Sequence, residues 1–272
     1  MRTLRALAVA ACSLWFTLPA LADARIAILA DVLRLDEVTQ LLRDEGLDYA
    51  QSLNTDLLSG RGGPFWAAQA ERIYDPIRMS ETVLRALEAG LDGPDLDATI
   101  AFFASPLGEQ IIALENAARR AINDPGVEET ARAAYLKIRG SDEPLLALLQ
   151  RFVDANDLVE RNVAAAMSAN YQFDKGLSDG RWMDVTEAEI LEEIWAQEAE
   201  VRADTELWLF AYLLMAYSPL SLDDLARYVD FSASAAGQAL NTALFDGYGQ
   251  LYRDISYALG RAVALSGPGN EL

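Results

Sequence analysis

The chain has no histidine, a single cysteine, and little proline or glycine for its 272 residues. Without imidazole it has no Ser/His/Asp or Cys/His nucleophile system and no His-ligated zinc or haem. Because 52% of the residues are hydrophobic, with 9 prolines and 17 glycines, the composition excludes a disordered or fibrous chain. The sequence therefore predicts a globular protein that lacks the commonest catalytic groups.

Basic residues are also scarce, since 22 Lys and Arg stand against 42 Asp and Glu, for a formal net charge of -20. Nucleic-acid binding depends on Lys and Arg neutralising phosphates, so this class of partner is excluded. An anionic membrane surface is disfavoured for the same reason. No phosphate-binding glycine loop or dinucleotide fingerprint is found, so we expect no cofactor.

Residues 1–22 have the features of a secretory signal peptide. Arg2 and Arg5 precede an apolar stretch that leads to the small-x-small site at residues 20–22. We expect cleavage after Ala22 and a periplasmic location. Cys12 follows small residues, as at a lipoprotein cleavage site, but the apolar stretch continues beyond it. Cleavage after Ala22 would remove the only thiol, leaving no disulfide or thiolate metal site.

Helical spacing of apolar residues runs through nearly all the remaining sequence, which predicts an all-α, multi-helix globular bundle. The most apolar stretch, residues 207–217, is too short for a membrane span of roughly 20 residues, so it is predicted to be a buried helix and the protein not to span a membrane. A break at residues 123–126 divides an N-terminal helical half, residues 23–126, from a C-terminal half, residues 127–265. Residues 266–272 are expected to be a disordered tail.

The two halves share a weak motif. Ser105-Pro106 follows one aromatic-rich segment and Ser218-Pro219 follows another. Two interpretations remain open at this point, a tandem duplication of a helical unit and a chance recurrence of a Ser-Pro helix start.

The segment at residues 101–115 resembles the core of the family catalogued as domain of unknown function 2059. The pattern of that family falls on Phe103, Ser105, Pro106, Gly108 and Glu115. The resemblance implies an exported, all-α bacterial protein with no established activity. The second copy departs from the pattern, because Ser221 replaces the glycine and Tyr228 stands at the position of Glu115.

Each motif residue has an expected structural role. Ser105 can cap a helix, Pro106 suits the first helical position, and Gly108 allows a neighbouring helix to approach. Glu115 is predicted to pair with Arg119 one turn later. We therefore assign no catalytic, cofactor-binding or metal-binding residue.

Acidic residues crowd one later segment, at Glu187, Glu189, Glu192, Glu193, Glu198 and Glu200. Bundles that bind metal through such glutamates also use histidine, which is absent, so we interpret the cluster as a solvated helix face. Calcium needs only oxygen ligands, and Asp174, Asp179, Asp184 and Glu187 could supply them, but their spacing does not fit a twelve-residue calcium loop.

Residues 231–263 form a long helical stretch in which Ala236, Ala239, Ala243 and Gly247 recur at three- or four-residue intervals. This stripe predicts either an internal packing seam or a self-association face. The leading hypothesis is a non-catalytic binding role in the envelope, toward another envelope protein or an apolar ligand. The alternatives are a hydrolase that uses two carboxylates, acting on an envelope substrate, and a purely structural adaptor.

Overall fold

A computed structural model describes residues 18–267, with side chains from residue 24 onward. The predicted signal peptide lies mostly outside these residues, as do residues 268–272 of the predicted tail, whereas Ser266 is the last residue of a helix. The described chain contains thirteen α-helices and no strand, which confirms the all-α prediction. The helices are α1 Leu18–Val32, α2 Leu35–Asp56, α3 Gly63–Ile73, α4 Pro76–Gly90, α5 Gly93–Phe103, α6 Pro106–Ile122, α7 Pro125–Ile138, α8 Pro144–Ala155, α9 Leu158–Asp179, α10 Glu187–Ala196, α11 Glu198–Tyr217, α12 Leu222–Ser232 and α13 Ala235–Ser266.

The order of helices repeats along the chain. α2 and α9 are each 22 residues long, and each follows a residue in the left-handed conformation, Arg34 (φ 49°) and Asp157 (φ 51°). A short helix, a longer helix and an 11-residue helix then follow in both cases. The 32 residues of α13 correspond to α6 and α7 together, which a break at residues 123–124 separates.

Helix contacts repeat in the same way. α1 packs against α2, α4 and α5, and α8 packs against α9, α11 and α12. The two arrays, α1–α7 and α8–α13, then exchange their last helices: α13 packs on α4, while α6 and α7 pack on α11. One hydrophobic cluster draws buried side chains from both arrays. The predicted half boundary at residues 126 and 127 falls in the first turn of α7.

The repeated motif is not where the sequence comparison placed it. Ser218 ends α11, and Ser221 caps α12 by accepting from the amide of Asp224. The counterpart of Ser105 is Ser234, because both hydroxyls donate to a phenylalanine carbonyl at 2.6 Å and accept from a glycine amide at 3.2 Å. The correct repeat therefore pairs residues 102–108 with residues 231–237.

The long helix α13 approaches its neighbours through small residues. On α4, a Cβ added at Gly90 would lie 2.8 Å from the Ala243 Cβ, and one at Gly247 would lie 3.1 Å from the Val83 Cα. On α9, a Cβ at Gly260 would meet the carbonyl of Phe173 and lie 3.0 Å from the Leu177 amide. The small-residue stripe is thus an internal packing seam, with Ala236, Ala243 and Gly247 buried.

We predict that Gly260→Ala destabilises the protein, because the methyl group would push against backbone atoms of α9 that cannot move aside separately. The expected loss is about 1–3 kcal/mol in the free energy of unfolding, measured by urea denaturation. Gly249→Ala on the same helix is the matched control, since its Cβ would meet only the flexible end of Arg253 at 3.4 Å. The control should gain about 0.5–1 kcal/mol from helix propensity. Equal stability of the two variants would contradict the tight α9–α13 contact.

Candidate functional site

The family-motif residues build the turn between α5 and α6. Ser105 bonds the Phe102 carbonyl and the Gly108 amide, and Pro106 occupies the first turn of α6, where no amide partner is lost. A Cβ at Gly108 would lie 2.9 Å from the Phe103 carbonyl carbon, so only glycine allows this close turn. Phe103 is buried beneath it.

The two repeated turns meet through their aromatic residues. The rings of Phe102 and Phe231 stack with centroids 4.0 Å apart and an interplanar angle of 9°. Phe103 meets Phe231 edge to face at 5.6 Å, and Tyr228 stacks on Phe102 at 5.9 Å. The motif residues of each array therefore pack against those of the other array. The sequence pattern alone could not reveal this contact.

Glu115 lies beside this aromatic cluster and is held by tyrosines from the second array. The hydroxyl of Tyr217 donates to Glu115 Oε1 at 2.5 Å, and that of Tyr228 donates to the same oxygen at 3.1 Å. The hydroxyl of Tyr212 donates to the Glu115 backbone carbonyl at 3.1 Å. Three tyrosines from α11 and α12 thus converge on one turn of α6.

The predicted pair between Glu115 and Arg119 is wrong. Arg119 instead binds both carboxylate oxygens of Glu45 on α2, at 2.9 and 2.7 Å, and Asn123 adds a bond to Glu45 at 2.9 Å. The one-turn spacing brings Glu115 and Arg119 to neighbouring positions on α6. Their side chains separate because Glu115 finds hydroxyl donors on α11 and α12, while Arg119 finds a carboxylate on α2.

The surroundings of Glu115 favour its neutral form. Burial raises the pKa of Glu115, and the hydrogen bonds from Tyr217 and Tyr228 only partly oppose that rise. Burial, together with the charge of Glu115, also raises the pKa of both tyrosines well above the ordinary value. This cluster can hold a proton, but its acid is already engaged by two tyrosine hydroxyls.

A groove of about 640 Å³ lies between α3, α4 and α13. Its floor is the apolar face of α13, including Leu251, Ile255 and Ala262. Its walls carry four arginines, Arg72, Arg78, Arg85 and Arg261. Glu115 does not line this groove, so the buried acid and the groove are separate features.

The acidic segment that the sequence singled out is spread over α10 and the start of α11. Three of its six members have partners: Glu189 completes a capping box with Thr186, Glu187 accepts from Tyr171 at 2.7 Å, and Glu198 pairs with Arg202 at 2.7 Å. No group of three or more metal-ligating side chains occurs within residues 24–267. Burial and the charge of Glu193 raise the pKa of Asp174.

The helix that the sequence predicted to be buried, residues 207–217, forms the second half of α11. Six of its residues are buried: Leu209, Phe210, Ala211, Leu213, Ala216 and Tyr217. No helix in the described part of the chain is long and apolar enough to cross a membrane.

The contacts of the α5–α6 turn and of Glu115 fall inside a segment that a known family shares. Residues 78–135 match the family described as an uncharacterized protein conserved in bacteria, DUF2059. This segment runs from the first turn of α4 to α7, so it includes the motif turn, Glu115 and the α4 wall of the groove. No curated protein and no solved structure matches the chain. The family description itself names no activity.

We predict that Glu115→Gln stabilises the protein at neutral pH. Glutamine keeps an oxygen acceptor for Tyr217 and Tyr228 but cannot ionise. Because the native pKa of Glu115 is raised above its ordinary value of 4.5, its contribution to stability is complete below that value and is lost as pH rises through the native pKa. The advantage of the variant should therefore shrink on acidification, as measured by urea denaturation over a pH series.

Two further variants test whether the effect of Glu115→Gln arises from the carboxyl group of Glu115. Glu115→Ala leaves both tyrosine hydroxyls without their acceptor and should cost about 1–3 kcal/mol for each buried group. Glu109→Gln, at an exposed position of the same helix, should leave the pH dependence unchanged. If Glu115→Gln were less stable than the native chain at neutral pH, the tyrosines would be stabilising the ionised carboxylate.

Proposed function

We propose that this protein is a non-catalytic ligand-binding protein of the bacterial cell envelope and that the groove between α3, α4 and α13 is its binding site. The observation that carries the proposal is the groove itself. Its volume of about 640 Å³ lies within the range of small-molecule sites, roughly 300–1,000 Å³. It combines an apolar floor on α13 with polar and charged side chains on its walls, so a ligand could make both apolar and polar contacts there.

The proposed envelope location rests on the sequence. The basic start, the apolar stretch and the small-x-small site at residues 20–22 are the features of a cleaved export signal. The match of residues 78–135 to a bacterial family is compatible with this location. An apolar or amphiphilic ligand is a reasonable cargo in an aqueous compartment between two membranes, since it needs protection from water there.

The alternative, a carboxylate-dependent hydrolase, has one observation in its favour. Glu115 has a raised pKa, as a general acid requires. It does not line the groove, however, and its Oε1 is already engaged by two tyrosine hydroxyls. Ligand binding is therefore the function that the geometry supports better.

Native mass spectrometry of the mature protein, taken from the periplasm without refolding, should show an adduct that is lost on denaturation. Ala258→Trp should abolish the adduct, because Ala258 lines the groove and the indole would fill it. Ala258→Ser is the matched control and should retain the adduct. Circular dichroism would check that both variants fold. An adduct that survives Ala258→Trp would place the ligand elsewhere, and an adduct-free native protein would contradict the proposal.

Export has its own test. When the full chain is produced in a Gram-negative host, the intact mass of the protein in the periplasmic fraction should correspond to a chain that starts at Asp23. Ala22→Arg should block this processing, because the cleavage site requires a small residue at that position. A full-length mass in the cytoplasmic fraction would contradict the proposed location.

A further inference from the structure

The four arginines of the groove form no ion pair within residues 24–267, although the guanidinium of Arg261 donates a hydrogen bond to the backbone carbonyl of Asp179. Ten arginines form ion pairs with Asp or Glu in the described part of the chain. Within residues 24–267, those without an ion pair are Arg61, Arg72, Arg78, Arg85, Arg161, Arg181, Arg253 and Arg261. Half of them line the groove between α3, α4 and α13.

The groove is therefore basic in a strongly acidic protein. Its four arginines face two carboxylates, Glu81 and Asp254, which gives the lining a net charge of +2, while the whole chain carries -20. Asp254 also accepts a hydrogen bond from Gln250 at 2.8 Å. The positive charges outnumber the negative ones, so an anion in the groove would be attracted and would reduce the repulsion among the arginines.

The α4 wall presents its basic groups in a row. Arg78, Thr82 and Arg85 are spaced so that they share one face of the helix. Within residues 24–267 the Arg85 guanidinium makes one hydrogen bond, to the Thr82 hydroxyl at 3.2 Å, and its other donors have no partner in this part of the chain. Free guanidinium donors bind carboxylate and phosphate oxygens with good geometry.

The α13 floor presents an apolar stripe beside that row. Leu251, Ile255, Ala258, Ala262 and Leu265 recur at helical spacing and all line the groove. The stripe extends about 21 Å along the helix at 1.5 Å per residue. Leu265 at its end is 43% exposed, so part of this apolar surface is open to solvent.

At the equivalent contact, which lies between α7 and α11, the arginines are paired with acidic residues. There α7 packs on α11, as α13 packs on α4. Arg132 of α7 pairs with Asp204 at 2.7 Å and with Glu128 at 2.7 Å, and Arg139 pairs with Glu206 at 3.6 Å. The arginines at that contact are thus paired with acids, whereas the four arginines of the α3–α4–α13 groove form no ion pair within residues 24–267.

We infer that the groove binds an anionic amphiphile, with its carboxylate or phosphate head at Arg78 and Arg85 and a single alkyl chain along the α13 stripe. This inference rests on the proposed function and specifies its ligand class. The apolar stripe supplies burial of the chain, and the arginine row selects the charged head.

Isothermal titration of the mature protein with four probes tests the inference. The probes are palmitate, hexadecyl phosphate, uncharged monopalmitin and inorganic phosphate. Both charged alkyl probes should bind at least about tenfold more tightly than monopalmitin. The double variant Arg78→Gln/Arg85→Gln should abolish that preference. Arg61→Gln is the matched control, because Arg61 is exposed and without an ion pair but lies outside the groove, and it should change nothing.

The outcomes separate the ligand class from the binding function. Equal affinity for monopalmitin, or a charge preference that survives the double variant, would overturn the anionic class while leaving the groove as a binding site. Inorganic phosphate that binds as tightly as hexadecyl phosphate would overturn the role of the stripe. A native adduct without binding of any alkyl probe would overturn the inference alone. The absence of both the adduct and probe binding would overturn the proposed function as well.

Discussion

The close approach of α13 to helices of both arrays is the contact on which the structure depends. One end of this 32-residue helix meets α4 at Gly90 and Gly247, and the other end crosses α9 where Gly176 and Gly260 face each other. Backbones that approach this closely gain dispersion contacts along their whole length, but they tolerate no added Cβ. α6 and α7 of the first array make the corresponding contact with α11 of the second array. Each array therefore needs helices of the other to complete its packing.

The buried polar cluster at Glu115 follows from that exchange. α6 is carried onto α11, which brings Glu115 under Tyr212 and Tyr217, and the neighbouring α12 supplies Tyr228. A carboxyl group in such a place is tolerated because two hydroxyls donate to its Oε1, and its raised pKa means that its neutral form is favoured. The cluster thus fixes the register between the two arrays, since displacement by one turn would leave three hydroxyls unpaired.

Local features of this fold could be predicted from sequence, while contacts between distant segments could not. The Thr186 and Glu189 capping box, the Ser105 cap and the buried face of α11 depend on neighbours within a few residues. The partner of Glu115 was mispredicted because i,i+4 spacing suggested Arg119, whereas the tyrosines lie about a hundred residues away. The groove was missed for the same reason, since its arginines come from three helices that only tertiary packing assembles.

The groove is basic, whereas the molecule as a whole is strongly acidic. A net charge of -20 repels anions at long range, but at physiological ionic strength the Debye length is about 8 Å, so a ligand inside the groove responds mainly to the guanidinium groups beside it. A small anion would have only that local attraction to offset the cost of association. An amphiphile adds about 25 cal/mol for each Å² of alkyl surface that α13 removes from water. The acidic surface and the basic, apolar groove together therefore favour anions that carry a long apolar chain over anions that do not.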